Sequence, residues 1–429
     1  MIRMLEGFIG QDEFKKGIRH YLNKFKYSNA TTKDLWNSFD PKLEVESFMN
    51  DWINKQGYPI VYVSEDKEDI LLRQSQFLLS GRKSDSIWKI PITFSWGETI
   101  LMTQREIKVK KKSPVYKINM GGYAFFRTSY DTQNLAHLLE STTDVENKLN
   151  LVNDIFALCN AKMMKAIDVI VLCELFRDET NPEILSSIFS TLNKFKSLWY
   201  ENENVLKHLN EVISDLIGSR VNEIDIFTKE FSEDWITTNS ILINNALRSG
   251  NSKIIKNLKE AYGQKGSINP EFIRSVFISV IDEKYEEIFS LTKTSTIPEE
   301  KIVALSSLAN INNEKSLLKI LSKFNEFEPH NSIYFFLNLI LNEKNRDLIL
   351  NFICENFDEI RSFMKNDRLF SYVVERVLSC ASTEKISLKI IELLNLKKNG
   401  EIEMSVNKAI EKIKWNLEFK EFNKEVIKN

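Results

Sequence analysis

Gly57-Tyr58-Pro59-Ile60-Val61-Tyr62-Val63 is the stretch on which the fold turns. On its N-terminal side the apolar residues recur at helical spacing. On its C-terminal side they crowd into short β-rich runs, so the period changes here from about 3.6 to about 2. Working back, Phe48, Met49, Trp52 and Ile53 mark one apolar helical face, which Gly57 and Pro59 terminate. Thr31-Thr32-Lys33-Asp34 precedes Leu35 and Trp36; a threonine cap with an acid in the first turn predicts a helix start. Asp12-Glu13-Phe14 opens another helix, carrying Phe14, Ile18, Tyr21, Leu22 and Phe25. Met1, Met4, Leu5, Phe8 and Ile9 form the first apolar face.

Working forward, the runs Ile70–Leu72, Phe77–Leu79, Trp88–Trp96, Ile100–Val109 and Tyr123–Tyr130 are punctuated by Gly81, Gly97, Pro114 and Gly121-Gly122. With the opening run, that spacing predicts a small β-sandwich of about seven strands. From residue 132 helical periodicity returns, as in Leu149-Val152-Phe156-Cys159 and Leu206-Leu209-Val212-Leu216. Breaks fall near Asn181-Pro182, Gly218, Gly250, Gly266 to Pro270, Pro298, Asn312-Asn313, Pro329 and Gly400. No clean fixed repeat is visible, so the reading is an irregular HEAT-like α-solenoid rather than a regular array. The expected architecture is mainly α with a small β-sandwich: a helical portion over 1–58, the sandwich over 59–131 and the solenoid over 132–429.

Bulk numbers bound the function. The chain has 429 residues, 43% hydrophobic and 28% charged, with a formal net charge of −2. No global field favours nucleic acid or an anionic membrane. Cys159, Cys173, Cys354 and Cys380 sit far apart in apolar helical contexts, which reads as buried free thiols and a reducing compartment. No signal sequence is evident, and no stretch approaches the roughly 20 apolar residues of a membrane span. The expected location is cytoplasmic.

Candidate chemistry is sparse. A catalytic zinc needs three protein ligands around an open position. The four histidines, His20, His137, His208 and His330, never share i, i+4 spacing, and no His-Glu-x-x-His occurs. His20 beside Tyr21 reads as one exposed and one packed residue rather than an acid–base pair. No nucleophile elbow, phosphate loop or dinucleotide fingerprint is present. Lys108-Val109-Lys110-Lys111-Lys112 is the sharpest charge cluster; a solvated edge that resists strand pairing is the reading favoured over a nucleic-acid patch. Tyr123-Ala124-Phe125-Phe126 reads as sandwich core rather than a base-stacking platform. No catalytic, metal-binding or substrate-binding residue is assigned.

The first sixty residues, Ile2 to Gly10, then Phe14, Gly17, Tyr21-Leu22, Tyr27 to Thr32, Leu35-Trp36, Met49, Trp52 and Gly57-Tyr58-Pro59, closely resemble the last catalytic-domain helices of the zinc aminopeptidase family that includes aminopeptidase N and puromycin-sensitive aminopeptidase. The family's Trp-x-x-Pro-Ile-x-Phe is matched by Trp88 to Phe94. Its Asn…Gly…Arg-x-x-Tyr-Asp is matched by Asn119, Gly122, Arg127, Tyr130 and Asp131, and its closing pattern by Ala409, Glu411, Ile413 and Trp415. Gln76-Phe77 departs from the family's Arg-Phe.

The resemblance implies the C-terminal portion of a zinc-dependent metalloaminopeptidase, a part that encloses and selects the peptide. The family's metal ligands and catalytic groups lie upstream of the matched segment, so none is carried over. Zinc is expected in the complete enzyme and not in this chain, which alone is expected to be inactive. Expected partners are peptides and a separate N-terminal catalytic half, with no nucleic acid and no membrane. A non-catalytic α-solenoid scaffold descended from an aminopeptidase is the alternative. The first helix adds a physical expectation: Met4, Leu5, Phe8 and Ile9 together are worth about 6–12 kcal/mol if buried, so the chain reads as incomplete, with cover for that face supplied from outside.

Overall fold

A computed structural model describes residues 1–79, 84–227 and 232–426. Gly81, expected to punctuate two strands, lies outside the described residues. The chain forms two compact units, Met1–Met164 and Lys165–Asn429.

Unit 1 opens with four helices: α1 (Ile2–Ile9), α2 (Gln11–Lys24), α3 (Thr32–Trp36) and α4 (Val45–Asn54). The predicted start at Thr31 is a full capping box. The Asp34 N–H donates to the Thr31 hydroxyl, and the Thr31 N–H donates back to the Asp34 carboxylate. Gly17 lets α2 approach Phe39: a Cβ there would lie 2.2 Å from that ring. The first apolar face is covered in part within this chain, while Met1 is 51% exposed and Phe8 and Ile9 are half-buried. Met4 and Leu5 are 1% and 0% exposed, and the Phe8 ring stacks on Phe48 at 4.7 Å.

The β-layer holds β1 (Pro59–Asp66), β2 (Asp69–Gln76), β3 (Ile90–Thr93), β4 (Thr99–Met102), β5 (Glu106–Lys110) and β6 (Arg127–Ser129). One sheet runs β5-β2-β1-β6; β3 and β4 pair separately as a two-stranded antiparallel sheet. The β1–β2 hairpin sets Ile60 against Ser75 and Val63 against Leu72, while β6 joins β1 in parallel. Six strands are present among the described residues, against the seven expected, because Phe77–Leu79 carries no strand. Phe77 still buries, stacked on Tyr58 at 5.5 Å.

A buried polar side chain stands in for strand pairing between these sheets. Gln74 is 0% exposed; it accepts from the Trp88 N–H at 2.8 Å and donates to the Trp88 carbonyl at 2.9 Å. It thereby supplies the hydrogen bonds a neighbouring strand would give. Two further helices, α5 (Thr132–Ser141) and α6 (Val145–Asn160), complete unit 1, and α6 packs on β6.

Unit 2 is helical among its described residues. Asparagine caps recur where the sequence breaks: Asn181, Asn269 and Asn313 each accept a first-turn N–H, and Pro182 and Pro270 stand at the first helical position. Gly218, with φ +59°, ends the helix Glu203–Ile217. The core is a continuous apolar cluster that includes Phe277, Phe335, Phe336, Leu350, Ile390 and Ile413.

A spacing the hydrophobic pattern concealed shows in the polar contacts. Asn342 donates to the carbonyls of Ala309 (3.1 Å) and Ile311 (2.7 Å), 33 and 31 residues back. Asn416 donates to Ser379 and Ala381, both at 2.9 Å, 37 and 35 residues back. The surface pairs Lys293–Glu326, Lys319–Glu286 and Lys408–Glu375 each span 33 residues, and Lys389–Glu355 spans 34.

Candidate functional site

Unit 2 contains a cavity of about 680 Å³. Its wall is built from the helices Pro182–Leu198, Glu233–Arg248 and Glu403–Phe422, from Ile340–Leu341 with Glu343, and from the segment Glu375–Cys380. Five cations line it: Lys194, Arg248, Arg376, Lys408 and Lys412. Two acids face them, and both are engaged: Glu343 with Arg248, and Glu375 with Lys408 at 3.3 Å.

Local structure fixes the cations. Lys412 lies over the Trp415 ring at 3.7 Å and Lys194 over the same ring at 4.3 Å. Arg346 is 1% exposed and stands directly behind the wall. Its guanidinium donates to the Ser197 hydroxyl (3.0 Å) and the Ile340 carbonyl, and it lies over the Tyr200 ring at 5.5 Å. Its Nε has no hydrogen-bond partner. Burial pushes the Lys412 ammonium down to about 8. The Lys196 ammonium is likewise pushed down to about 8 by burial, against the pull of Glu343. Burial raises the Cys380 thiol, while Arg346, Lys412 and Arg376 all act to lower it.

The sequence candidates fall elsewhere. His20 and His137 are exposed on α2 and α5, His208 is half-buried, and His330 is exposed with its Nε2 3.9 Å from Glu328. No group of three His, Cys, Asp or Glu side chains able to hold a metal forms among the described residues. Tyr21 packs on Phe25, with ring centroids 5.4 Å apart. All four cysteines are free thiols; burial pushes Cys354 up to about 11.

The lysine run lies on and just beyond the edge strand β5. Lys108 pairs with Asp66 (2.7 Å), Lys110 with Glu68 and Asp69 (both 3.2 Å), Lys111 with Glu65 (2.7 Å) and Lys112 with Glu98 (2.7 Å). These are exposed pairs, which solvent screens to a small contribution. A Lys108→Gln, Lys110→Gln double variant will accordingly unfold at nearly the parent's urea midpoint. A larger loss would mean that the edge depends on those charges.

The aromatic segment splits, which corrects the core reading. Ala124 and Phe126 are buried, but Tyr123 and Phe125 are 44% and 51% exposed. Tyr123 carries the Arg3 guanidinium over its ring at 4.5 Å.

The Asn…Gly…Arg-x-x-Tyr-Asp residues build a buried polar network in unit 1. Asn119 (φ +57°) holds Ala124 through both its N–H and its carbonyl, each at 3.0 Å. Tyr130 accepts from the Ile118 N–H at 2.9 Å, and Asp131 caps α5. Arg127 pairs at 3.2 Å with Asp154, which also accepts from the Thr128 N–H at 2.9 Å. Beside it, the buried Lys117 ammonium donates to three oxygens, and burial pushes it down to about 8. This network is structural: its donors and acceptors are spent on the backbone and on each other.

The cavity residues escaped the sequence reading because no local motif joins them. They come from positions 190 to 416 and meet only when the helices pack.

Comparison with known proteins accounts for both ends of the chain. The profile of the ERAP1-like C-terminal domain matches residues 115–414, and that of the peptidase family M1 domain matches residues 1–52. The chain is 26% identical to "Probable aminopeptidase 1" of Saccharolobus solfataricus, across 96% of this chain and 53% of that protein. It is 26% identical to the "Alanine/arginine aminopeptidase" of Saccharomyces cerevisiae, across 92% and 49%. It is 22% identical to "Probable M1 family aminopeptidase 1" of Encephalitozoon cuniculi, across 100% and 51%. The chain spans about half the length of the curated relatives it matches. No described helix is long and apolar enough to cross a membrane.

Proposed function

The chain belongs to the ERAP1-like C-terminal domain family, and on that premise we propose that it is the C-terminal portion of a zinc-dependent metalloaminopeptidase. In this reading it encloses and selects peptides, while the zinc site is carried by sequence outside this chain. The observation that carries the proposal is the order of the two family matches, a short peptidase M1 segment followed by a long C-terminal domain. Relatives named as aminopeptidases match along nearly the whole chain.

Polar contacts that skip 31 to 37 residues support a HEAT-like stack in the helical part, which would supply a wall for a peptide tail. The two small sheets of unit 1 support the sandwich reading. Four free thiols support a reducing, cytoplasmic location.

The test is reconstitution. The purified chain alone will hold far less than one zinc per molecule and will not cleave an aminoacyl-coumarin. Mixed with the N-terminal half of the Saccharolobus relative, it will raise turnover of long peptides over that half alone. Stoichiometric zinc with turnover in the chain by itself, or no effect of the chain on the added half, overturns the proposal.

A further inference from the structure

The basic cavity of unit 2 has an unbalanced charge. Once Glu343 is assigned to Arg248 and Glu375 to Lys408, no carboxylate remains on the wall. Arg376 and Lys412 make no ion pair among the described residues, and neither does Arg346 just behind them. Arg346 is held by neutral partners, the Ser197 hydroxyl, the Ile340 carbonyl and the Tyr200 ring, with no counter-charge. Arg346 is 1% exposed, and its Nε is left without an acceptor. Arg376 and Lys412 line the same wall as Cys380 and Asn416. The cavity therefore presents two cations without counter-charges in a space of about 680 Å³.

We propose that this cavity is a binding site for a small, multiply charged oxyanion of the phosphoryl class. Charge count decides between ligand types. A single carboxylate neutralises one of the two unpaired wall cations, Arg376 and Lys412, and leaves the other unmatched. A doubly charged phosphoryl group meets both, since guanidinium and ammonium donors both suit phosphoryl oxygens. Volume excludes nucleic acid: the cavity holds roughly twenty water-sized groups at about 30 Å³ each. Occupancy would tie together helices far apart in sequence, which makes the anion a stabiliser of the helical wall. This goes beyond the peptidase reading and stands independently of it.

The experiment is thermal unfolding and calorimetry of the full chain with sodium pyrophosphate, against sodium chloride at equal ionic strength. Pyrophosphate is expected to raise the midpoint saturably by several degrees. The Arg376→Gln, Lys412→Gln double variant, on the open side of the wall, is expected to bind at least tenfold more weakly while keeping the parent's circular dichroism. Lys108→Gln, remote in sequence and already paired on β5, is expected to keep full affinity. Arg346→Gln gives a third reading if it folds; the double variant decides if it does not. Pyrophosphate no better than chloride overturns the proposal, as does undiminished binding by the double variant. Tighter binding of a peptide with a free carboxylate than of pyrophosphate, lost in the same variant, also overturns it and makes the cavity a carboxylate pocket.

Discussion

Replacement of Asp154 by alanine will destabilise unit 1 by about 2–4 kcal/mol, a large fraction of what holds a domain together. The carboxylate is 3% exposed and serves two groups at once. It accepts from the Thr128 N–H on β6 and pairs with Arg127. Alanine leaves the buried N–H without an acceptor and the half-buried guanidinium without its partner; loss of one side of such a pair is costly even where the pair itself adds little. Urea denaturation followed by the fluorescence of Trp52 and Trp88, both buried in this unit, reads the loss directly. A shift below about 0.5 kcal/mol would show that the network is slack.

The same residue carries a pH signature of unusual sign. Burial pushes the Asp154 carboxyl up to about 6, against Arg127, which pulls it down. An unfolded aspartate titrates near 3.9. Between those values the folded chain binds more protons than the unfolded one, so this group's contribution is fully present at low pH and is lost as pH rises through about 6. Asp154→Asn cannot titrate. The stability of the parent relative to Asp154→Asn will therefore fall as pH rises from about 4 to about 6, and then level off. A difference that climbs over that window would mean the carboxyl is held low by Arg127 rather than raised by burial.

The network also shows what was readable from sequence and what was not. Asn119, Gly122, Arg127, Tyr130 and Asp131 stood out only through the family resemblance; the fold then gives Asn119 a left-handed turn, Asp131 a helix cap and Tyr130 a buried hydroxyl. Asp154 did not stand out, because nothing in the α6 sequence distinguishes an inward carboxylate from a solvated one. The switch from helix to strand at Pro59 was legible from period alone, and β1 begins at that residue. Phe77–Leu79 misled for the opposite reason: only Phe77 buries, stacked on Tyr58 and donating its N–H to the Tyr58 carbonyl, while Leu79 is 52% exposed. Tyr123 and Phe125 look like alternating core residues, yet Gly121 and Gly122, both at positive φ, turn the chain just before them. The basic cavity had no sequence signal, since its charges are spread over five segments and only packing reveals that two acids are already spent.

The helical part poses the last test. Asn342→Leu keeps the branched four-heavy-atom side chain and removes every hydrogen bond the amide makes. The amide is 4% exposed; it donates to Ala309 and Ile311 and accepts from the Asn345 N–H at 3.1 Å. Ile311 keeps a second donor in Asn345, so two groups, the Ala309 carbonyl and the Asn345 N–H, bear the loss. At about 1–3 kcal/mol for each buried orphan, unit 2 will lose about 2–6 kcal/mol. Hydrogen exchange will rise around residues 309–312 and 345, and will stay unchanged at residues 379–381, which Asn416 secures instead. Asn416→Leu will show the converse. The two asparagines share no partner, so their costs will add within about 0.5 kcal/mol if each secures only its own turn. Coupling well above that would mean that the stack behaves as one cooperative wall, in which a loosened turn is felt two helix pairs away. In the proposed role of enclosing peptides, such stiffness would sharpen selection, and independent turns would argue for a compliant wall. Equal exchange at both turns in either single variant would remove the asparagines from any such role.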